Sequence, residues 1–91
     1  MSVTLKIPTP LRKVTNGQSE VSVEGTSLLE CIDALDVQFP GIKERLCGDD
    51  GELHRFVNVY LNGEDIRFLE GLKTPVKNDD EVSIVPAVAG G

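Results

Sequence analysis

The chain opens on an alternation: Val3, Leu5 and Ile7 are apolar, Thr4 and Lys6 polar, and Pro8 and Pro10 end the run. Successive side chains of a strand point to opposite faces, so this period of two predicts a strand buried on one side. Asn16-Gly17 marks a turn, after which Val21 and Val23 alternate with Ser22 and Glu24 in a second strand. The two are expected to pair as a hairpin with a loose connecting loop. Gly25 and Thr26 break the pattern, and the period then lengthens. Leu28, Ile32, Leu35 and Phe39 recur at helical spacing as one apolar stripe, with Glu30, Asp33 and Asp36 largely outside it. Ser27-Leu28-Leu29-Glu30 fits a capping box, the early acidic residues suit the positive end of the helix dipole, and Pro40-Gly41 stops the helix.

Residues 42–46 fit a further short turn of helix, and Gly48-Asp49-Asp50-Gly51 reads as loop. Period two returns over 55–61, with Val57, Val59 and Leu61 on one face and Phe56, Asn58 and Tyr60 on the other. Asn62-Gly63 is a strong hairpin signal and leads into a short strand near 65–68. Leu72 and Val76 are expected to plug the core from an irregular connection, and Asn78-Asp79 turns the chain into a last strand with Val82 and Ile84 inward and Ser83 and Val85 outward. The order strand, strand, helix, strand, strand, strand predicts an α+β fold: a mixed sheet of four to five strands on one main helix. The two terminal strands are able to lie side by side in its middle. The expected inward set is Val3, Leu5, Ile7, Val21, Val23, Leu28, Ile32, Leu35, Val57, Val59, Leu61, Val82 and Ile84.

Composition narrows what such a fold can do. Ninety-one residues make one small domain with little scaffold for a catalytic cleft. The formal charge is −6 and no run of Lys or Arg occurs, which argues against a nucleic-acid partner. The acidity suits docking on basic patches of other proteins, and serves solubility equally well. No segment reads as a signal peptide or membrane span, and two isolated cysteines without metal-ligand spacing fit a reduced, cytoplasmic setting. Cys31 is expected to be half-buried on the helix and Cys47 to lie near a mobile loop, open to oxidation; neither reads as a nucleophile. His54 reads as a loop residue, and residues 49–52 as a polar turn lacking the spaced ligands of a calcium loop.

The C-terminus carries the candidate chemistry. Residues 1–86 form the expected domain; after Ile84-Val85-Pro86 no turn or cap follows, and Ala87-Val88-Ala89-Gly90-Gly91 reads as a flexible diglycine tail. Extended, it would reach roughly 16–18 Å. Glycine packs nothing at the end of a strand, whereas a tail without side chains can thread a carboxylate down a narrow channel. A bare carboxylate is a poor electrophile and needs a leaving group, for instance by attack on the α-phosphate of ATP. The chain has no Gly-x-x-x-x-Gly-Lys-Ser/Thr loop, so activation is expected on a partner and no bound cofactor or metal is expected. A frayed or arbitrarily cut end is the alternative; two terminal glycines arise by chance in roughly 0.5% of chains, which leaves chance the weaker explanation. Phe56 and Tyr60, beside Val85 and Pro86, form a candidate partner-docking surface framed by Arg55 and Arg67, with partial burial under a neighbouring loop as the alternative.

The element order and the 86–91 ending together resemble the β-grasp, ubiquitin-like sulfur carriers of the ThiS/MoaD family over the whole chain. The CysO-type branch is the nearest match, on Phe39-Pro40-Gly41-Ile42-Lys43-Glu44-Arg45-Leu46, Leu53-His54-Arg55-Phe56-Val57-Asn58-Val59-Tyr60 and Val85-Pro86-Ala87-Val88-Ala89-Gly90-Gly91. The resemblance implies a protein co-substrate rather than an enzyme. An E1-like enzyme would adenylate Gly91 with ATP, and a sulfur donor would displace AMP to leave a thiocarboxylate. In the CysO-type branch that group reacts on a PLP-dependent cysteine synthase and a metalloprotease releases the product. In the other branches the sulfur goes to the molybdopterin synthase large subunit or to thiazole synthase. A ubiquitin-like modifier attached through Gly91 is the further alternative.

Overall fold

A computed structural model describes residues 2–54 and 57–86. Its strands are β1 (Ser2–Lys6), β2 (Glu20–Glu24), β3 (Val57–Leu61), β4 (Glu64–Asp65) and β5 (Glu81–Pro86), with helices α1 (Leu28–Gln38) and α2 (Ile42–Leu46) between β2 and β3. They form one sheet in the order β2-β1-β5-β3-β4. Only the β1–β5 pair is parallel; β1–β2, β3–β5 and β3–β4 are antiparallel. This is the expected β-grasp arrangement, with the first and last strands adjacent in the middle.

The alternations dictate which face is covered. Val3, Leu5, Val21, Val23, Val59, Val82 and Ile84 are all buried, as is Ile7 just past β1, and they share one core with Leu28, Ile32 and Leu35 of α1 and with Phe39 at its C-terminal cap. Val57 and Leu61 pack against this cluster half-buried. The register Val3↔Val23, Leu5↔Val21 and Leu5↔Val82 lines up inward residues across three strands, so each apolar side chain finds an apolar neighbour.

Local chemistry sets the boundaries. Ser27 Oγ accepts the Glu30 N–H at 3.2 Å and starts α1. The returning carboxylate of Glu30 goes one residue further back than a capping box requires. Its Oε1 accepts from both the N–H and the hydroxyl of Thr26, each at 2.8 Å. Asp36 reaches out of α1 to accept the N–H groups of Gly41 and Lys43 at 3.1 Å each, and so caps α2. At the β3–β4 turn Asn62 and Gly63 both take left-handed conformations, with φ of 50° and 90°. A two-residue hairpin twisted to match its strands needs both signs positive, which Asn-Gly tolerates.

Several expectations are corrected. The connection between β1 and β2 is not loose: a 3₁₀ turn (Thr9–Leu11) opens it, and the fully buried Thr15 donates to the Gln18 carbonyl at 2.8 Å. The strand expected near 65–68 is only Glu64–Asp65, because Asp65 Oδ1 accepts the Arg67 N–H at 2.9 Å and curls the chain into a 3₁₀ turn (Ile66–Phe68). That turn drives Ile66 into the core, which alternation did not anticipate. Val76 is buried and Leu72 half-buried, as expected. Their segment is tied to the start of α1 by Leu28 N–H to the Thr74 carbonyl (3.0 Å) and Val76 N–H to the Thr26 carbonyl (3.1 Å). Cys31 is fully buried rather than half-buried, and Cys47, closing α2, is buried rather than open to oxidation.

Candidate functional site

The chemistry expected of the sequence falls on the residues that follow β5. β1 pairs with β5 only from Glu81 to Ser83, whereas β3 pairs with it from Val82 to Pro86. Beyond Ser83 the strand therefore runs past β1 with β3 alone beside it. Ile84 turns inward and is buried, anchoring this projecting part to the core. Pro86 stands opposite Val57 and closes the ladder; having no N–H, it cannot donate another rung. Residues 87–91, which include Ala87, Val88, Ala89, Gly90 and Gly91, lie outside the described residues.

The outer face of the same strands carries two of the expected docking residues, Tyr60 and Val85; Pro86, opposite Val57 and in step with the inward Ile84, lies on the other face. Val85 is 41% exposed and stands opposite Asn58, and Tyr60, half-buried, stands opposite Ser83. Paired residues share a face, so Val85 and Tyr60 sit diagonally on the uncovered side of the sheet. Phe56 and Arg55 lie outside the described residues. Tyr60 also stands opposite Asp65 of β4, whose carboxylate grips the Arg67 guanidinium at 2.7 Å to Nη2 and 3.2 Å to Nε. These hydrogen bonds hold Asp65 below its ordinary range and push Arg67 further up. Arg67 thus borders the face as half of an ion pair rather than as an unpaired cation. On the β1 side Lys6 is paired with Glu81 at 3.0 Å.

The other candidates have ordinary structural roles. Burial pushes the Cys31 thiol up to about 11 and raises that of Cys47 as well, so neither is a thiolate near neutral pH and neither suits a sulfur relay. His54 Nε2 lies 3.1 Å from the Glu44 carbonyl oxygen, which ties the 47–54 loop to α2. Asp50 Oδ1 accepts the Glu52 N–H at 3.0 Å in a local turn, and no cluster able to hold a metal ion occurs among the described residues. No helix among the described residues is long and apolar enough to cross a membrane. The capping role of Asp36 was missed by sequence reasoning; its signal was a carboxylate placed five residues before the Gly41 that opens α2.

Comparison with known proteins agrees with this geometry. The model of the ThiS family matches residues 5–91. The sulfur carrier protein CysO of Mycobacterium tuberculosis is 50% identical over 93 residues, spanning 100% of both chains. The CysO chain in the crystal structure of the Amycolatopsis orientalis BexX/CysO complex superimposes with a TM-score of 0.92 at 49% identity, over 98% of this chain and 99% of that one. The crystal structure of small archaeal modifier protein 1 from Haloferax volcanii gives a TM-score of 0.83 at 32% identity over 100% of both chains.

Proposed function

The chain belongs to the ThiS family of sulfur carriers, and from that premise we propose that Gly91 is the residue that carries the sulfur. The observation that carries this reading is the identity to CysO carriers across the full length of both chains, together with a sequence that ends on Gly90-Gly91. In the proposed cycle the Gly91 carboxylate oxygen attacks the α-phosphate of ATP on an E1-like partner, forming an acyl adenylate and releasing pyrophosphate. A sulfide donor then attacks the acyl carbon, AMP leaves with the C–O electron pair, and a thiocarboxylate remains. The chain contributes no catalytic residue, cofactor or metal to these steps; it is a protein co-substrate.

The geometry at the end of β5 supports such a role. A strand held on one side by β3 and rooted by Ile84 is firm up to Pro86, the last residue described before the glycine ending of the sequence. The diagonal pair Tyr60 and Val85 offers apolar area near the end of β5 for the partner enzyme. The name of the CysO relatives favours cysteine as the destination. There the thiocarboxylate sulfur would attack an aminoacrylate held by a PLP-dependent cysteine synthase, and a metalloprotease would free the new cysteine from Gly91. Delivery to the molybdopterin synthase large subunit or to thiazole synthase is the alternative within the family.

The test is intact-mass spectrometry of the chain isolated from its own cells under sulfur-replete growth. A species heavier by the difference between one sulfur and one oxygen is expected, and it should vanish when Gly91 is deleted. Its consistent absence would defeat the reading. A second reading, attachment to lysines as a protein modifier, is favoured by the likeness to the archaeal modifier protein. It predicts high-mass conjugates on a blot that disappear with the same deletion.

A further inference from the structure

β2 stands at one end of the sheet, with β1 on one side and no strand on the other. Its hydrogen-bond phase is set at the base of the β1–β2 pair, where the Ile7 N–H donates to the Ser19 carbonyl at 2.8 Å. Bonded pairs alternate along an antiparallel ladder, so Val21 and Val23 exchange bonds with Leu5 and Val3. Glu20, Ser22 and Glu24 therefore aim their N–H and C=O groups away from the sheet. Of these groups only the Ser22 carbonyl has a partner among the described residues, a long 3.4 Å contact from Gln38 Nε2 at the end of α1. All three residues are exposed. A row of outward backbone donors and acceptors is a template for one more strand.

Charge decides which strand fits. Val21 and Val23 are buried, so the alternation puts Glu20, Ser22 and Glu24 together on the outer face, where an added strand would meet their side chains directly. Lys6 stands opposite Glu20 on the β1 side, but its Nζ is paired with Glu81 at 3.0 Å. Neither Glu20 nor Glu24 forms an ion pair among the described residues. Glu20-Val21-Ser22-Val23-Glu24 also reads the same in both directions. A second copy laid antiparallel and centred on Ser22 would set Glu20 against Glu24 at both ends, and like charges directly opposite destabilise a pair. An antiparallel segment with Lys or Arg four positions apart would instead bring one cation to each carboxylate.

We propose that the free edge of β2 is a docking site for an extended basic segment of a partner protein, bound as an additional strand antiparallel to β2. The outward N–H and C=O groups of Glu20, Ser22 and Glu24 supply the ladder, with the incoming strand displacing the long Gln38 contact. The two carboxylates choose between such a segment and a second copy of the chain. Gly91 takes no part, so the inference stands or falls apart from the function proposed for that residue.

The test follows the backbone amide resonances of the full chain by NMR during titration with the capped peptide Lys-Val-Thr-Val-Lys. Saturable shifts are expected, largest at the N–H groups of Glu20, Ser22 and Glu24, with hydrogen exchange slowed at the same amides. The capped peptide Glu-Val-Thr-Val-Glu should bind about tenfold more weakly at low salt, and the gap should narrow at high salt, where screening removes the attraction. In the Glu20→Lys, Glu24→Lys double variant the preference should reverse toward the acidic peptide, with thermal unfolding showing that the variant is folded. No saturable binding, equal affinity of the parent for the two peptides at low salt, or shifts centred away from β2 would each overturn the proposal. Self-association of the parent through the same three amides would also overturn it, because the edge would then belong to a second copy.

Discussion

The first half of the chain and the 62–76 connection reach the same core by different means. In β1, β2 and α1 the interior residues recur at fixed periods, and the backbone is satisfied by its own ladder and helix. The connection between β3 and β5 has only the two-residue β4 and two 3₁₀ turns. It buries Ile66 and Val76 with the help of backbone N–H groups accepted by the side chains of Asp65 and Thr74, and through rungs to Thr26 and Leu28. A periodic element exports its polar side uniformly. An aperiodic one sets each residue individually, and here it sends Phe68 outward two positions after sending Ile66 inward. Irregular segments are thus where a small fold can display an apolar side chain without weakening its core.

The sharpest test sets Leu5→Ala beside Ile66→Ala. Both side chains are almost fully buried, so each loss should cost about 2–5 kcal/mol in urea unfolding. A cost under about 1 kcal/mol for Ile66→Ala alone would mean that the connection merely drapes over the core. Next in size, Thr74→Val keeps the shape but removes the hydroxyl that serves Glu70 and Gly71, and should cost about 1–2 kcal/mol. In the regular half, Ser27→Ala removes the α1 cap and should cost about 1 kcal/mol, with the loss read in the same unfolding curves.

Acid titration compares the halves by charge. Hydrogen bonds from the Thr26 backbone and hydroxyl hold Glu30 below the ordinary 4.5, while Arg67 holds Asp65, and Asn62 with the Lys77 N–H holds Asp80, below the ordinary 3.8. Each carboxylate binds its proton less readily in the folded chain than in the unfolded one. The stability it lends is therefore complete above those ordinary values and is lost as pH falls through the lower folded ones. Asp65→Asn with Asp80→Asn should flatten the acid limb of the stability profile more than Glu30→Gln does. The smallest effect belongs to Phe68→Ala, which should change stability by less than about 0.5 kcal/mol, as expected of a side chain already in water.

How much of this was legible depended on the range of the signal. The strand faces could be read from alternation because the pleat itself assigns sides, and Val3, Leu5, Val21, Val23, Val82 and Ile84 all lie where the period puts them. The α1 start could be read because Ser27 and Glu30 are close in sequence, although Glu30 turned to Thr26 instead of closing the box. Cys31 was underestimated although it stands three residues after Leu28, at the flank of the same helical face, where Gly25 packs over it; a Cβ on Gly25 would lie 3.1 Å from Cys31 Sγ. Of the expected docking residues, strand register sets Tyr60 and Val85 on the outer face and Pro86 on the covered one, opposite Val57. Gly91, the tail before it and Phe56 stand on sequence alone.

The sequence by itself determined the element order, the covered face of each strand, the Asn62-Gly63 turn and the glycine ending, because each is encoded by neighbours within a few residues. Only the tertiary structure decided that β5 outruns β1, that Asp36 caps α2, and that Ile66 enters the core while Phe68 leaves it. Those outcomes depend on rungs and contacts between segments far apart in the chain, such as Thr74 with Leu28 and Val76 with Thr26, and no local period records them.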